Sequence, residues 1–317
     1  MLAALPRSGH HLSLLAANDT RPDLLLYRDA ALRPLVEHKY ADRAVFLGRE
    51  ARPGRSPAAL LAARRANAAY YRQIAEICAA RPVDRLILFL EGEPLERFLL
   101  TRWCDATVEL WEDGLSHYVD LTGRAWYAAR GLVQALAGFY PRDITRRRLD
   151  RQRVLVRDRF DAGDLSLPFP PLPATRDPRP LLIGSPLVED GLIGRWGLSR
   201  ALARLAAALD RPIAYFPHPR EDRVRLAADI RAAGPAVELV ADDAGLLDYA
   251  TRVDHALYVS ALSTGLLDIG RFARSAFVPG WFGLHRAHRA LAGWPKCPVP
   301  VPATPAALRR FVVQALA

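Results

Sequence analysis

Short apolar runs of strand length recur along this chain in two series, each interleaved with amphipathic stretches, and a proline-dense segment separates the series. Such alternation restricts the fold to parallel α/β architecture, because a strand followed by a helix returns to begin a neighbouring parallel strand. In the first series the runs are 24–27, 44–47, 85–90 and 106–111. Leu60, Leu61, Ala68, Tyr71, Ile74 and Ile77 repeat at helical spacing over 57–80, where Pro57 suits a first turn. Trp126, Leu132, Val133, Leu136 and Phe139 mark another helix, ended by Pro141. Residues 165–180 carry six prolines, too many for a regular helix or a central strand. The second series has strands expected at 181–183, 213–216, 237–240 and 255–259 and helices at 198–209 and 222–233. The expected organisation is a Rossmann-like domain over 1–164, a linker over 165–180 and a second Rossmann-like domain over 181–317. Two such domains face each other across a cleft, with ligands at the carboxyl ends of their strands.

A length of 317 residues accommodates two domains, and a chain that is 51% hydrophobic and 25% charged is not disordered. The net charge is +10, and of 44 basic side chains only Lys39 and Lys296 are lysines. Arginine of this density suits forked recognition of phosphate or carboxylate, or attraction to an anionic inner membrane face, and it also arises from plain compositional bias. The densest run, 142–159, holds eight arginines with Asp143, Asp150 and Asp158 but no interleaved aromatics to stack bases. It reads as a solvated helix face or linker, not a nucleic-acid site. Cys78, Cys104 and Cys297 lack metal or redox spacing, the apolar start is broken by Pro6 and Arg7, and uncharged runs stop short of a membrane span. A reduced, cytoplasmic chain without a resident metal or cofactor is expected, with peripheral membrane contact through its basic surface.

Four loops concentrate polar groups just after expected strands. Glu112-Asp113-Gly114 places two adjacent carboxylates at a strand end, where crowding favours a group that accepts a proton; an ordinary Asp-Gly turn has the same pattern. In Tyr215-Phe-Pro-His218-Pro219-Arg220-Glu221, flanking prolines stiffen the presentation of one histidine, and Arg220 adds a charge-assisted donor. Ser260-Ala-Leu-Ser263-Thr264-Gly265 precedes an apolar run and resembles a helix N-terminus, able to hold phosphate or simply to cap a helix. Gly184-Ser-Pro-Leu-Val-Glu189-Asp190-Gly191 offers a second carboxylate loop, either a spare candidate for the base, with Asp190 beside Asp113, or a wall of the cleft. His10, His11, His285 and His288 read as surface or packing residues. No Walker-type loop, Gly-x-Gly-x-x-Gly, Gly-x-Ser-x-Gly or His-Glu-x-x-His is present.

Taken in order, the Glu-Asp-Gly, His-Pro and Ser/Thr motifs resemble those of bacterial sialyltransferases of the lipooligosaccharide type and their capsular polysialyltransferase relatives. Residues 215–221 resemble the family's His-Pro-Arg-Glu segment, 183–187 its Gln-Pro-Leu strand end, and 260–267 its Ser-Ser-x-Leu segment. Ser185 stands where glutamine is usual and Ser263-Thr264 where two serines are usual. The resemblance implies a GT-B fold and inverting, metal-independent transfer of sialic acid from CMP-sialic acid to a glycan hydroxyl. It implies Asp113 as general base with Glu112 as neighbour or substitute, and His218 facing the CMP phosphate. Ser263 and Thr264 would bind that phosphate, with Ser260 and Gly265 beside them, and Pro219 and Arg220 would line the nucleotide side. Gly184 and Asp190 would wall the donor pocket. Competing readings are a transferase for another nucleotide sugar, such as a different CMP-linked keto-sugar, and a non-catalytic glycan-binding protein on the same scaffold.

Overall fold

The computed structural model describes residues 1–54, 56–121, 123–141, 143, 148–150, 152–168, 175–242 and 245–316. Contacts divide the chain into two compact units, 1–113 with 122–168, and 114–121 with 169–317. The expected first domain, 1–164, thus gives up 114–121 to the second unit. Residues 169–174 of the expected linker lie outside the described residues, and so do 142, 144–147 and 151 of the basic run.

The first unit is built on six parallel strands: β1 (Leu2–Leu5), β2 (Leu24–Tyr27), β3 (Ala44–Phe46), β4 (Arg85–Leu88), β5 (Thr107–Trp111) and β6 (Val154–Arg157). Their order across the sheet is β3-β2-β1-β4-β5-β6, the doubly wound arrangement with its switch point between β1 and β4. Helices α1 (Gly9–Ala17), α2 (Arg33–Tyr40), α3 (Pro57–Ala79), α4 (Pro94–Arg102) and α6 (Arg124–Leu136) belong to this unit, and α5 (Leu115–Tyr118) to the other. Ser56 caps α3 by accepting the Ala59 N–H, with Pro57 at the first helical position. Leu5, Leu26, Leu86, Leu88 and Leu110 from the strands bury against Ile74 of α3 and Leu99 of α4. Full burial of each such side chain is worth about 1.5–3 kcal/mol, so the core of this unit forms on its own sheet.

The second unit repeats the plan with β8 (Leu181–Ile183), β9 (Ile213–Phe216), β10 (Val237–Leu239), β12 (Tyr258–Ser260) and β13 (Ser275–Phe277), all parallel in the order β10-β9-β8-β12-β13. A two-stranded pairing of β7 (Arg176–Asp177) with β11 (Asp254–His255) stands apart from it. Helices α7 (Arg195–Leu209), α8 (Arg223–Ala233), α9 (Leu246–Ala250), α10 (Gly265–Ile269), α11 (His285–Ala292) and α12 (Pro305–Leu316) complete the unit. Leu202 and Leu205 of α7 pack with Ile213, Val259 and Ala276 of the strands and Leu308 of α12.

Two expectations about elements need correction. Part of the basic run read as a helix face or linker is the edge strand β6, where apolar Val154, Leu155 and Val156 continue the sheet beside β5. The run expected as one strand at 255–259 is broken: β11 ends at His255 and β12 starts at Tyr258, because His255 pairs with β7 outside the main sheet.

Candidate functional site

In the first unit, Asp113 follows β5 at the carboxyl edge of the sheet, and its carboxylate is 26% exposed. The His11 Nε2–H lies 3.0 Å from Asp113 Oδ1. His11 Nδ1 accepts the Arg7 backbone N–H at 2.9 Å, which places the ring proton on Nε2, facing the carboxylate. Phe89 stacks on the imidazole at 4.1 Å with 6° between the planes, and Ser8 accepts the His11 N–H as the cap of α1. His11 is therefore not a surface histidine: it is buried and packed on Phe89, and it also faces Asp113. The run Leu2–Leu5 that places it is too short to announce a strand by periodicity, so sequence reasoning missed it; Ser8-Gly9 directly after that run is the one local signal.

Glu112, expected as neighbour or substitute for the base, is excluded from that role by its surroundings. It is wholly buried and held by Arg159, whose Nε lies 2.8 Å and backbone N–H 3.2 Å from Oε2, with the guanidinium also on Oε1. A carboxylate neutralised by a buried guanidinium is a structural anchor. It ties the end of β5 to the segment after β6.

Gly114 opens the segment of the second unit that begins one residue after Asp113. Its φ is +136°, and a Cβ there would lie 2.5 Å from Thr264 Oγ1, so both backbone shape and packing demand glycine. Leu115 N–H donates to Thr264 Oγ1 at 3.2 Å. Tyr118 stacks on Trp294 at 4.4 Å, and Asp120 lies 3.6 Å from Arg286, fastening 114–121 to this unit.

His218 stands at the carboxyl end of β9. Its Nδ1 accepts the Arg220 N–H at 3.1 Å, leaving Nε2–H as the outward donor of the ring. Burial, reinforced by the Arg220 cation, pushes the imidazole below its ordinary value, so the ring is neutral near pH 7. Glu221 clamps the loop from below: it accepts the His218 backbone N–H and the Tyr215 hydroxyl, both at 2.7 Å. Burial raises the Glu221 carboxyl to about 7 against the pull of these donors. Gly184, at the end of β8, makes room for the clamp, since a Cβ there would lie 2.4 Å from Glu221 Oε2 and 2.9 Å from His218 N.

The Ser/Thr loop divides into structural and accessible parts. Ser260 is fully buried; its hydroxyl donates to Ile183 O at 2.8 Å and accepts the Ser263 N–H at 3.1 Å. It cannot touch a ligand as expected and instead shapes the turn that presents Ser263 and Thr264, both half-buried. Gly265 begins α10 where a Cβ would meet Leu246 at 2.5 Å, so it serves packing. Helix α10 has only five residues and no side-chain cap, leaving the Ser263 and Thr264 hydroxyls as the groups this loop presents.

Asp190 and Arg220 bind each other: both guanidinium nitrogens contact the two carboxylate oxygens, at 2.8 and 2.9 Å. The pair links the β8 and β9 loops and leaves both side chains exposed, Arg220 at 60% and Asp190 at 40%. Pro219 is exposed beside them.

Both units therefore gather polar groups at the carboxyl ends of parallel strands wound in the same order. No protein-family model matches the chain, and no curated protein matches it. Solved structures do. A putative UDP-N-acetylglucosamine 2-epimerase from Listeria monocytogenes aligns with 99% of this chain and 87% of its own, at 10% identity and a TM-score of 0.55. The O-GlcNAc transferase of Thermobaculum terrenum aligns with 99% of this chain at 14% identity and a TM-score of 0.52, over 59% of its own length. A glycosyltransferase from Rickettsia africae ESF-5 aligns with 99% of this chain and 87% of its own at 12% identity, with a TM-score of 0.50. The fold is GT-B. At these identities the likeness is one of fold, and a GT-B scaffold serves epimerases as well as transferases, so the chemistry rests on the residues of the site.

Proposed function

We propose that this GT-B protein is an inverting, metal-independent glycosyltransferase that moves sialic acid from CMP-sialic acid to a hydroxyl of a cell-surface glycan. The observation that carries the reading is the fixed presentation of His218: its tautomer is set by Arg220 N–H and its loop clamped by Glu221 against Gly184. Strands β9 and β12 flank β8, so the His218 and Ser263-Thr264 loops start about 10 Å apart, a span that a nucleoside monophosphate bridges. His218 Nε2–H and the two hydroxyls would stabilise charge on the departing phosphate, work that preorganised donors perform without a metal. Asp113, oriented by His11, would take the proton of the acceptor hydroxyl as that oxygen bonds to the anomeric carbon and the bond to CMP breaks. The choice of sialic acid and CMP rests on the likeness of 215–221 and 260–267 to the sialyltransferase motifs.

The test combines nucleotide binding with turnover. CMP is expected to raise the melting temperature, following the linkage of ligand binding to stability, while UDP and GDP do not. CMP release from CMP-sialic acid should require a glycan acceptor and fall on the order of a hundredfold or more in His218→Ala. Stabilisation by UDP or GDP in place of CMP would replace the donor, and absence of any nucleotide binding would leave a non-catalytic scaffold. Peripheral attachment to an anionic inner membrane is proposed as a separate property of the arginine-rich surface; no helix among the described residues is long and apolar enough to cross a bilayer. Sedimentation with phosphatidylglycerol vesicles at low salt, lost at high salt, is the expected result.

A further inference from the structure

A cavity of about 770 Å3 opens within the first unit, lined by the segments that follow β1, β2, β3 and β4 and by one face of α6. It lies on the same edge of the sheet as Asp113 and shares a residue with its support, because Arg7, in the cavity wall, donates its backbone N–H to His11. Nothing in the transfer chemistry described above uses this cavity.

Its floor is polar and fixed. Arg7 makes two bonds, 2.7 and 2.5 Å, to Glu96, a carboxylate with no exposure, and Arg28 pairs with Glu50, which also accepts the Tyr71 hydroxyl at 3.1 Å. Asn67 of α3 holds the loop carrying Glu50 in place, bonding Ala51 through both N–H and C=O and reaching Ala137 O at 2.8 Å. One wall is apolar and open, with Trp126 56% exposed and Val133 beside it in the lining. Gln134 contributes a buried Oε1 with no hydrogen-bond partner, an acceptor left waiting for a donor. Five arginines line the space; Arg7, Arg28, Arg49 and Arg130 pair with Glu96, Glu50, Asp29 and Glu93, and Arg52 has no carboxylate partner among the described residues.

Planar, pre-paired guanidinium and carboxylate groups beside an exposed indole match a sugar ring, whose hydroxyls need paired donors and acceptors and whose C–H face needs an aromatic surface. The unsatisfied amide oxygen calls for a hydroxyl donor, and the excess of arginine calls for a negative charge. The volume falls within the ~300–1,000 Å3 usual for small-molecule sites. We propose that this cavity is the acceptor subsite and that the acceptor is an acidic saccharide, bearing a carboxylate or a phosphate group that Arg52 reads while Trp126 carries the ring. The inference rests on the glycosyltransfer reading for the word acceptor; the saccharide site itself does not.

Direct titration separates the two. The full-length protein is titrated with lactose, 3′-sialyllactose and trehalose 6-phosphate, and in parallel with CMP. An acidic saccharide is expected to bind about tenfold or more tightly than lactose, the scale of one charge-assisted hydrogen bond, and the preferred member of the acidic pair distinguishes carboxylate from phosphate. Trp126→Ala and Arg52→Ala, both exposed positions that leave the core untouched, should each weaken that binding about tenfold while CMP affinity stays unchanged. Equal affinity for lactose and both acidic sugars overturns the acidic assignment, and no binding, or binding indifferent to both variants, overturns the site. Variant-sensitive saccharide binding without any donor cleavage sustains the site and removes the transferase reading instead.

Discussion

Asp113 and Glu112 are neighbours in sequence with opposite fates, because one faces the sheet edge and the other the interior. Asp113→Asn is expected to keep its fold and lose on the order of a hundredfold or more in transfer rate, measured as CMP release under saturating donor. Glu112→Ala should instead lower stability by about 3–5 kcal/mol in urea denaturation, since it leaves the Arg159 guanidinium buried without its counter-charge. Asp190→Asn breaks only a solvent-exposed pair, worth about 0–1 kcal/mol, and should retain transfer within a few fold. The Glu221 carboxyl adds a pH signature. Its folded value, about 7, lies above the ordinary 4.5, so the folded state holds the proton more firmly. Its contribution is complete below about 4.5 and is lost as pH rises through about 7. Relative to the native chain, Glu221→Gln should therefore show a flatter fall in melting temperature across that interval. A parallel profile for the two proteins would show that Glu221 ionises normally.

Loops after strands carry the site, and their shape depends on two glycines with different duties. Gly184 gives space to the Glu221 clamp, and Gly114 gives both space to Thr264 and a backbone conformation that other residues resist. Gly184→Ala is expected to cost about 1–3 kcal/mol by overpacking and to lower turnover by displacing His218, whereas Ala substitution at Gly194, with open space around its Cβ position and a φ of −82°, disturbs neither neighbour. Melting temperature and CMP affinity, read together, check this contrast. At this scale the sequence was legible where an apolar run of strand length stands between polar or helical stretches. Leu24–Tyr27, Leu181–Ile183 and Ile213–Phe216 are strands over the residues that their apolar runs mark. β1, β6 and β13 escaped because they are short or hidden: β1 adjoins the chain start, β6 lies among arginines, and β13 follows Arg274 with only three residues. Each gains its strand conformation from a neighbour already in the sheet, not from its own pattern.

The two main sheets of the chain have the same winding, yet the division between units does not follow the proline-rich segment alone. Residues 114–121 belong with 169–317, held by Thr264, Trp294 and Arg286. Residues 175–317 produced alone should consequently unfold at lower urea than the same unit in the full chain, and their Trp294 fluorescence should shift to the red as Tyr118 no longer covers the indole. A midpoint equal to that of the full chain would mean that 114–121 adds nothing to this unit.

Apolar periodicity and proline placement were sufficient for a doubly wound α/β fold in two parts, since strand–helix alternation leaves few other ways to bury those faces. The polar motifs after the strands were visible too, as local concentrations of acid, histidine and hydroxyl. Which members of each motif stay accessible was decided by tertiary structure: burial enclosed Glu112 and Ser260, an ion pair joined Asp190 to Arg220 at the surface, and packing turned His11 towards Asp113. The physical reason is that solvent exposure and the partner of a charge are set by contacts between residues far apart in the chain, as with the 102 residues separating His11 from Asp113, and local spacing carries no record of them.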